Sequence, residues 1–322
     1  MTDLIVRKLR FAFANSDVPF LWNEANPAFS SMANAVSFLA IGFEKMIGSM
    51  IPEALPHITD PAIAEEADAF VRQEGQHSMA HRQHAKGLIR AYPALKETLD
   101  KVVGSYDDLT AGTPLKYRLA YTADLEATFT PVFKLMLDHD DTLFAPGDDR
   151  VASLFLWHFV EEVEHRSSAL TIYDAVVDDP WYRMRVAPSI FKHVMGIIRM
   201  ASEDFNKYVP LSERKVDAMS TFRIARRKKA LLQRLPFTDA SYDGPFANAF
   251  SHLPLREQLV AMSGIVRSQI PGHDPTHEKL PALAQEWFDR YDAGYDVTQW
   301  YTASNDFAAN EPTANDGEET HV

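Results

Sequence analysis

Glu162 and His165 lie three residues apart in the stretch LWHFVEEVEH (156–165), and Glu74 and His77 repeat that spacing in EGQH. On a helix each residue advances about 100°, so a Glu-x-x-His pair stacks a carboxylate and an imidazole on one face. Two single acids interrupt apolar faces elsewhere: Glu44, between Phe43 and Met46–Ile47, and Glu126, amid Leu125, Phe129 and Val132. A carboxylate left unpaired in apolar surroundings is costly or stays protonated. Taken alone, Glu74 and His77 would read as ordinary surface residues. Taken together, the order Glu…Glu-x-x-His occurs twice, with gaps of 30 residues (44 to 74) and 36 residues (126 to 162). One inward Glu from each of two helices and one Glu-x-x-His from each of two others make a cage of four carboxylates and two imidazoles. Such a cage balances the charge of two divalent cations.

Four helices must position these groups. An apolar segment from Phe29 to about Leu55, stopped by Pro52 and Pro56, carries Glu44. A second, from Pro61 to Ala91, opens on Thr59-Asp60-Pro61 and carries Glu74 and His77. After a polar connection (93–112) that holds a short helix, Pro114 opens the third, which carries Glu126 and has Pro131 inside it. That proline should kink the helix or widen one turn. The fourth, from Asp149 to Val177, carries His158, Glu162 and His165. Amphipathic patterns at 181–208, 211–234, 254–269 and 278–294 add further helices, and no strand-like alternation of any length interrupts them. The class is therefore all-α.

The 322 residues can bury a large core. There is no Cys, so thiolate sites and disulfides are excluded and a transition metal must be held by His, Asp and Glu. That donor set favours iron, with manganese or zinc as alternatives. The formal charge of −13 argues against nucleic-acid binding, and the one basic run, Arg223 to Lys229, reads as a solvated helix face. The start lacks a signal-peptide core, and no apolar run is expected to span a bilayer. A cytoplasmic protein without an integral membrane segment is the expectation.

At Glu44, Glu74, His77, Glu126, Glu162 and His165 the chain resembles the ferritin-like dimetal carboxylate superfamily, over about residues 29–178. That resemblance implies a four-helix bundle with additional C-terminal helices and two metal ions bound by those six side chains. It also implies that Glu161 hydrogen-bonds the far nitrogen of a histidine ligand on another helix, His77, fixing its tautomer. His158-x3-Glu162-x2-His165 resembles the p-aminobenzoate N-oxygenase type, in which a third histidine joins the cage; His158 packed beside the site with a water or backbone partner is the alternative. The segments FEK at Glu44, EGQH at Glu74 and WHFVEEVEH at Trp157 also resemble a bacterial family labelled "predicted metal-dependent hydrolase", to about residue 265. The domain plan is then an irregular lead-in (1–28), the bundle (29–180), helices that cover it or form an interface such as a homodimer contact (181–302), and a disordered acidic tail (303–322).

Three functions compete. The first is activation of O2 by a di-iron centre for oxidation of a small, apolar substrate, with an electron donor as partner. The pocket would be lined by Phe43, Ile47, Leu125, Phe129 and Phe159, with His81 and His84 as wall or surface. Tyr117 and Tyr121 would serve electron transfer or simply pack. The second is dimetal hydrolysis, with Arg72 and His81 as candidates to steady a developing oxyanion. The third is non-catalytic metal binding. Of these the di-iron oxygenase is the leading expectation.

Overall fold

The computed structural model describes residues 4–13, 16–222, 244–276 and 278–302. Among them there is no strand, and helix follows helix. The described residues between 4 and 26 carry no helix, yet bury Phe11, Phe13, Val18, Phe20 and Trp22 against the helices. α1 (Pro27–Ala54) starts where the Asn26 side chain accepts from Phe29 N, with Pro27 in the first position. Pro52, expected to stop this helix, lies in its last turn instead, and Leu55–His57 continues as a 3-10 turn. α2 (Pro61–Ala91) is capped by Asp60, which accepts from Ala62 N at 2.9 Å. α3 (Leu95–Gly112) fills the connection with a full 18-residue helix. α4 (Leu115–Leu137) runs through Pro131, and a brief α5 (Asp140–Leu143) follows.

The fourth bundle helix is shorter than its sequence pattern suggests. α6 (Asp149–Glu164) ends just before His165, and α7 (Ser168–Val176) begins only after a break. Arg166 is the physical reason. Its buried guanidinium donates to Val163 O at 2.7 Å and Glu164 O at 3.3 Å, and onward to the carbonyls of Pro275, Thr276 and Glu278. A side chain thus satisfies carbonyls that a further helical turn would have taken. The apolar periodicity continues past the break because α7 buries its own face.

Beyond the bundle, α8 (Tyr182–Tyr208) matches its pattern. The helix expected over 211–234 does not form as such: α9 (Leu211–Arg214) stops at Lys215, whose φ of 59° is left-handed, and a 3-10 turn (Ala218–Ser220) follows under an Asp217 cap. The rest of that range, the basic run 223–229 and the tail from 303 lie outside the described residues. α10 (Leu255–Ser268) and α11 (Ala282–Asp292) are the remaining α-helices among the described residues.

α1 packs on α2 and α4, and α6 packs on α2 and α4, so these four close a ring with α1 opposite α6. α3 and α8 cover α1, and α8 and α10 lie on α4. Two close approaches need glycine. A Cβ at Gly42 would come within 2.5 Å of the Tyr106 ring, and one at Gly264 within 2.8 Å of Pro131, where α10 meets α4. Residues 27–57 are long and apolar enough to cross a membrane, contrary to the sequence expectation, but 72% of the apolar window is buried inside the protein. Its hydrophobicity is accounted for by the core.

Asp148 holds the start of α6: its carboxylate accepts from Arg150 N and Val151 N and pairs with the Arg150 guanidinium at 2.7 Å. Asp148→Ala should lower stability by about 1–2 kcal/mol, measured by urea unfolding at neutral pH. An unchanged midpoint would show that the cap contributes nothing.

Candidate metal centre

The ring of helices turns its charged side chains inward. Glu44 comes from α1, Glu74, His77, His81 and His84 from α2, Glu126 from α4, and His158, Glu161 and Glu162 from α6. His165 sits at the C-cap of α6, where the helix has just ended. None of the nine histidine and glutamate side chains that carry Glu44, Glu74, His77, His81, Glu126, His158, Glu161, Glu162 and His165 is more than 4% exposed. Groups of this kind are almost never placed in a core without partners.

The contacts fall into two groups. In the first, one ligand atom from each of Glu74, His77, Glu162 and His165 lies within 4.8 Å of the others. His165 Nε2 is 3.2 Å from Glu74 Oε1, and His77 Nδ1 is 3.8 Å from Glu162 Oε1 and 3.9 Å from Glu74 Oε2. Glu126 Oε2 approaches this group at 3.6 Å from His165 Nδ1. In the second, Glu44, His81 and His158 meet within the same limit. His158 Nε2 joins the two, at 2.8 Å from Glu162 Oε1 and 3.6 Å from Glu44 Oε1. Sequence reasoning treated His81 as pocket wall; the structure makes it a donor candidate equal to His158.

The donor atoms themselves test whether metal would fit. Both oxygens of Glu44, Glu74 and Glu126, Glu162 Oε2, His77 Nδ1 and both ring nitrogens of His165 are buried with no hydrogen-bond partner. Buried polar atoms are rarely left this way, because each then bears its desolvation cost uncompensated. Ten such atoms facing one another call for cations. The residues present fit two divalent ions in charge and in donor type.

Around the donors lies a supporting layer. Glu161 Oε2 faces His77 Nε2 at 2.8 Å, which leaves Nδ1 as the nitrogen turned toward Glu74 and Glu162. Glu161 in turn is held by Arg7 Nη1 at 3.0 Å. Arg7 also donates to Glu164 at 2.8 and 3.1 Å, and its guanidinium lies 4.5 Å from the Phe288 ring centroid on α11. Glu164 is an interhelix acid that also accepts from Gln73 Nε2 of α2 at 2.9 Å. On the other side, His158 Nδ1 meets His81 Nε2 at 2.7 Å, and Ser37 Oγ bridges His81 Nδ1 and His84 Nδ1 at 2.9 Å each. Trp157 packs edge-on against the His77 ring, 4.8 Å between centroids.

The aromatic lining runs from Phe43 to Phe129, Phe133 and Phe159, with Phe133 and Phe159 stacked at 4.0 Å and Phe133 beside His158 at 6.2 Å. Ile47 and Leu125 are buried. Arg72, offered by the sequence as an oxyanion partner, is exposed and paired with Asp68 at 3.1 Å, so it is withdrawn from the site. Tyr121 bonds Tyr106 at 3.2 Å and His193 at 2.9 Å, away from the donors, and Tyr117 bonds Ser189. Cavities of about 430 Å³ beside α8 and about 460 Å³ between α4 and α10 are lined by none of the donors.

Burial controls the protonation. Desolvation, then repulsion from neighbouring carboxylates, holds Glu44, Glu74 and Glu126 well above the ordinary range. Burial pushes Glu161 and Glu162 up to about 7. It pushes His77 and His84 down to about 3, and His81, His158 and His165 well below the usual value. The histidines are therefore neutral, as ligands must be, and the carboxylates retain protons that a metal would displace.

A buried cage of carboxylates and neutral imidazoles inside a four-helix ring defines a metal-binding protein of the all-α class. The chain belongs to the family described as "predicted metal-dependent hydrolase", whose model matches residues 5–243. No curated protein and no solved structure matches it.

Two outcomes are expected. Carboxylates with raised pKa favour the metal-free fold below about pH 4.5 and lose that contribution as pH rises through about 7. Metal binding cancels this loss and competes less with protons as pH rises. The gap in thermal midpoint between metal-loaded and metal-free protein should therefore widen from pH 5 to pH 8; a gap that narrows contradicts proton displacement. Arg7→Gln leaves Glu161 and Glu164 buried without their cation, which should cost about 3–5 kcal/mol. It should also weaken metal binding about 10–100-fold in calorimetric titration. Unchanged affinity would show that Glu161 does not orient His77.

Proposed function

We propose that this chain is a two-metal hydrolase whose ions are held by Glu44, Glu74, His77, Glu126, Glu162 and His165, with His158 and His81 completing the second position. The observation that carries the reading is the set of partnerless buried donors from four helices. Membership of a family described as metal-dependent hydrolases supports hydrolysis over the oxygen chemistry expected first. Two divalent ions there would supply an activated water and polarise the scissile bond of an ester, amide or phosphate.

The chain's own residues do the rest. Glu161 holds His77 in one tautomer, with Arg7 fixing Glu161 in turn. Phe43, Phe129, Phe133 and Phe159 exclude water and suit a small, apolar substrate. His158 touches Glu162 through Nε2 and His81 through Nδ1, and His81 reaches Ser37, a chain of contacts that fixes the orientation of both rings within the core.

A second reading, a ferritin-like di-iron centre that activates O2, rests on the same ligands. It is favoured by one feature, the buried aromatic shell of Phe133 and Phe159 beside His158. One experiment separates them. Protein stripped by chelator and reloaded with Zn(II) or Mn(II) under argon should turn over simple ester or phosphate substrates, and Glu126→Gln should abolish that turnover. Inactivity with every metal, together with O2 consumption by the Fe(II)-loaded protein, would replace hydrolysis by the second reading.

A further inference from the structure

Two helices outside the ring expose apolar stripes. On α8, Met184, Phe191 and Met195 stand in solvent and, at about 100° per residue, share a sector of roughly 40°. On α10, Leu255, Leu259, Met262 and Val266 form a second stripe, and Phe191, Leu255 and Val266 are each 67% exposed. Both helices lie on α4, and Arg183 at the start of α8 donates to Ser268 O at the end of α10. Near that contact Trp181 and Ile270 are exposed as well. No described residue covers this flank. Apolar surface on this scale marks a docking site.

Charge selects the occupant. The chain carries −13, yet between Trp181 and Ser202 it has Arg183, Arg185, Lys192 and Arg199 and no acid. On the wheel Arg185, Lys192 and Arg199 run alongside the apolar stripe of α8. Arg185 pairs with Asp179 and Arg199 with Glu203. Arg256 and Arg267 flank the stripe of α10, whose one acid is Glu257. Lys192, Arg256 and Arg267 make no ion pair among the described residues. A second copy docked face to face would set these cations against each other. An anionic bilayer would receive them at its phosphates while the stripes enter the boundary with the acyl chains. The negative charge elsewhere does not decide the matter, because charges beyond about 10 Å are largely screened at 0.1 M salt.

We propose that the α8–α10 flank is a docking surface for an anionic lipid bilayer. The test is co-sedimentation of the full chain with vesicles of phosphatidylcholine alone and of phosphatidylcholine mixed with phosphatidylglycerol. Binding to the mixed vesicles should be about tenfold stronger or more, and should fall as salt is raised. The triple variant Lys192→Glu, Arg256→Glu, Arg267→Glu should lose the preference for anionic vesicles. Leu259→Glu with Val266→Glu should lose binding to both kinds, with thermal midpoint and metal content unchanged because all five side chains are exposed. Failure to bind either vesicle, or equal binding to both, overturns the proposal. So does a dimer in light scattering that the Leu259→Glu, Val266→Glu variant converts to monomer, since a second copy would then be the occupant.

Discussion

The burial of carboxylates beside one another is the constraint on which the rest of this structure depends. Glu44, Glu74, Glu126 and Glu162 come from four different helices; burial raises the pKa of each, and repulsion from neighbouring carboxylates raises those of Glu44, Glu74 and Glu126 further. A core containing four such groups is stable only if they keep protons or meet cations, and protons alone would leave unpartnered both oxygens of Glu44, Glu74 and Glu126, which find no hydrogen-bond partner in the protein. Histidines do not neutralise them, because burial and their own mutual repulsion keep the rings uncharged. Two divalent ions would resolve both problems at once. The long helices then have a purpose beyond covering apolar area, which is to bring separate donors to one point and hold them there.

Rigidity at that point is built from outside the ring. Arg7, from a segment with no helix, reaches Glu161 and Glu164 and is itself covered by aromatic rings of α11. Arg166 ends α6 and ties it to the carbonyls of Pro275, Thr276 and Glu278, which sets the position of His165. Both arginines are buried cations whose guanidinium groups bond to the neighbours of metal-donor residues. The regions that look peripheral by sequence, the lead-in and the C-terminal helices, therefore act on the centre through charge and hydrogen bonding rather than through bulk packing alone.

Much of this was legible in the sequence, because the signals were short-range. The all-α class followed from helical periodicity, and α2 was bounded by Asp60-Pro61 and Pro93, residues whose effect is local. The isolation of Glu44 and Glu126 on apolar faces was visible for the same reason. What escaped depended on tertiary contacts. Arg7 carries no local mark of its role, and the end of α6 at Glu164 is set by carbonyls more than a hundred residues away. His81 follows His77 by one turn of the same helix, but a single ring on a helix face cannot be assigned until the opposite helix is known to present His158. The left-handed Lys215 broke an amphipathic pattern that periodicity alone would have extended.

The central claim is that two cations sit between α1, α2, α4 and α6. A crystal of the purified protein measured above and below the absorption edge of its metal tests this without reference to any reaction. The account predicts two anomalous peaks about 3.5–4 Å apart, one among Glu74, His77, Glu162 and His165 and one beside Glu44 and His158. No peak inside the ring, with the carboxylates hydrogen-bonded to one another or to water, would contradict it.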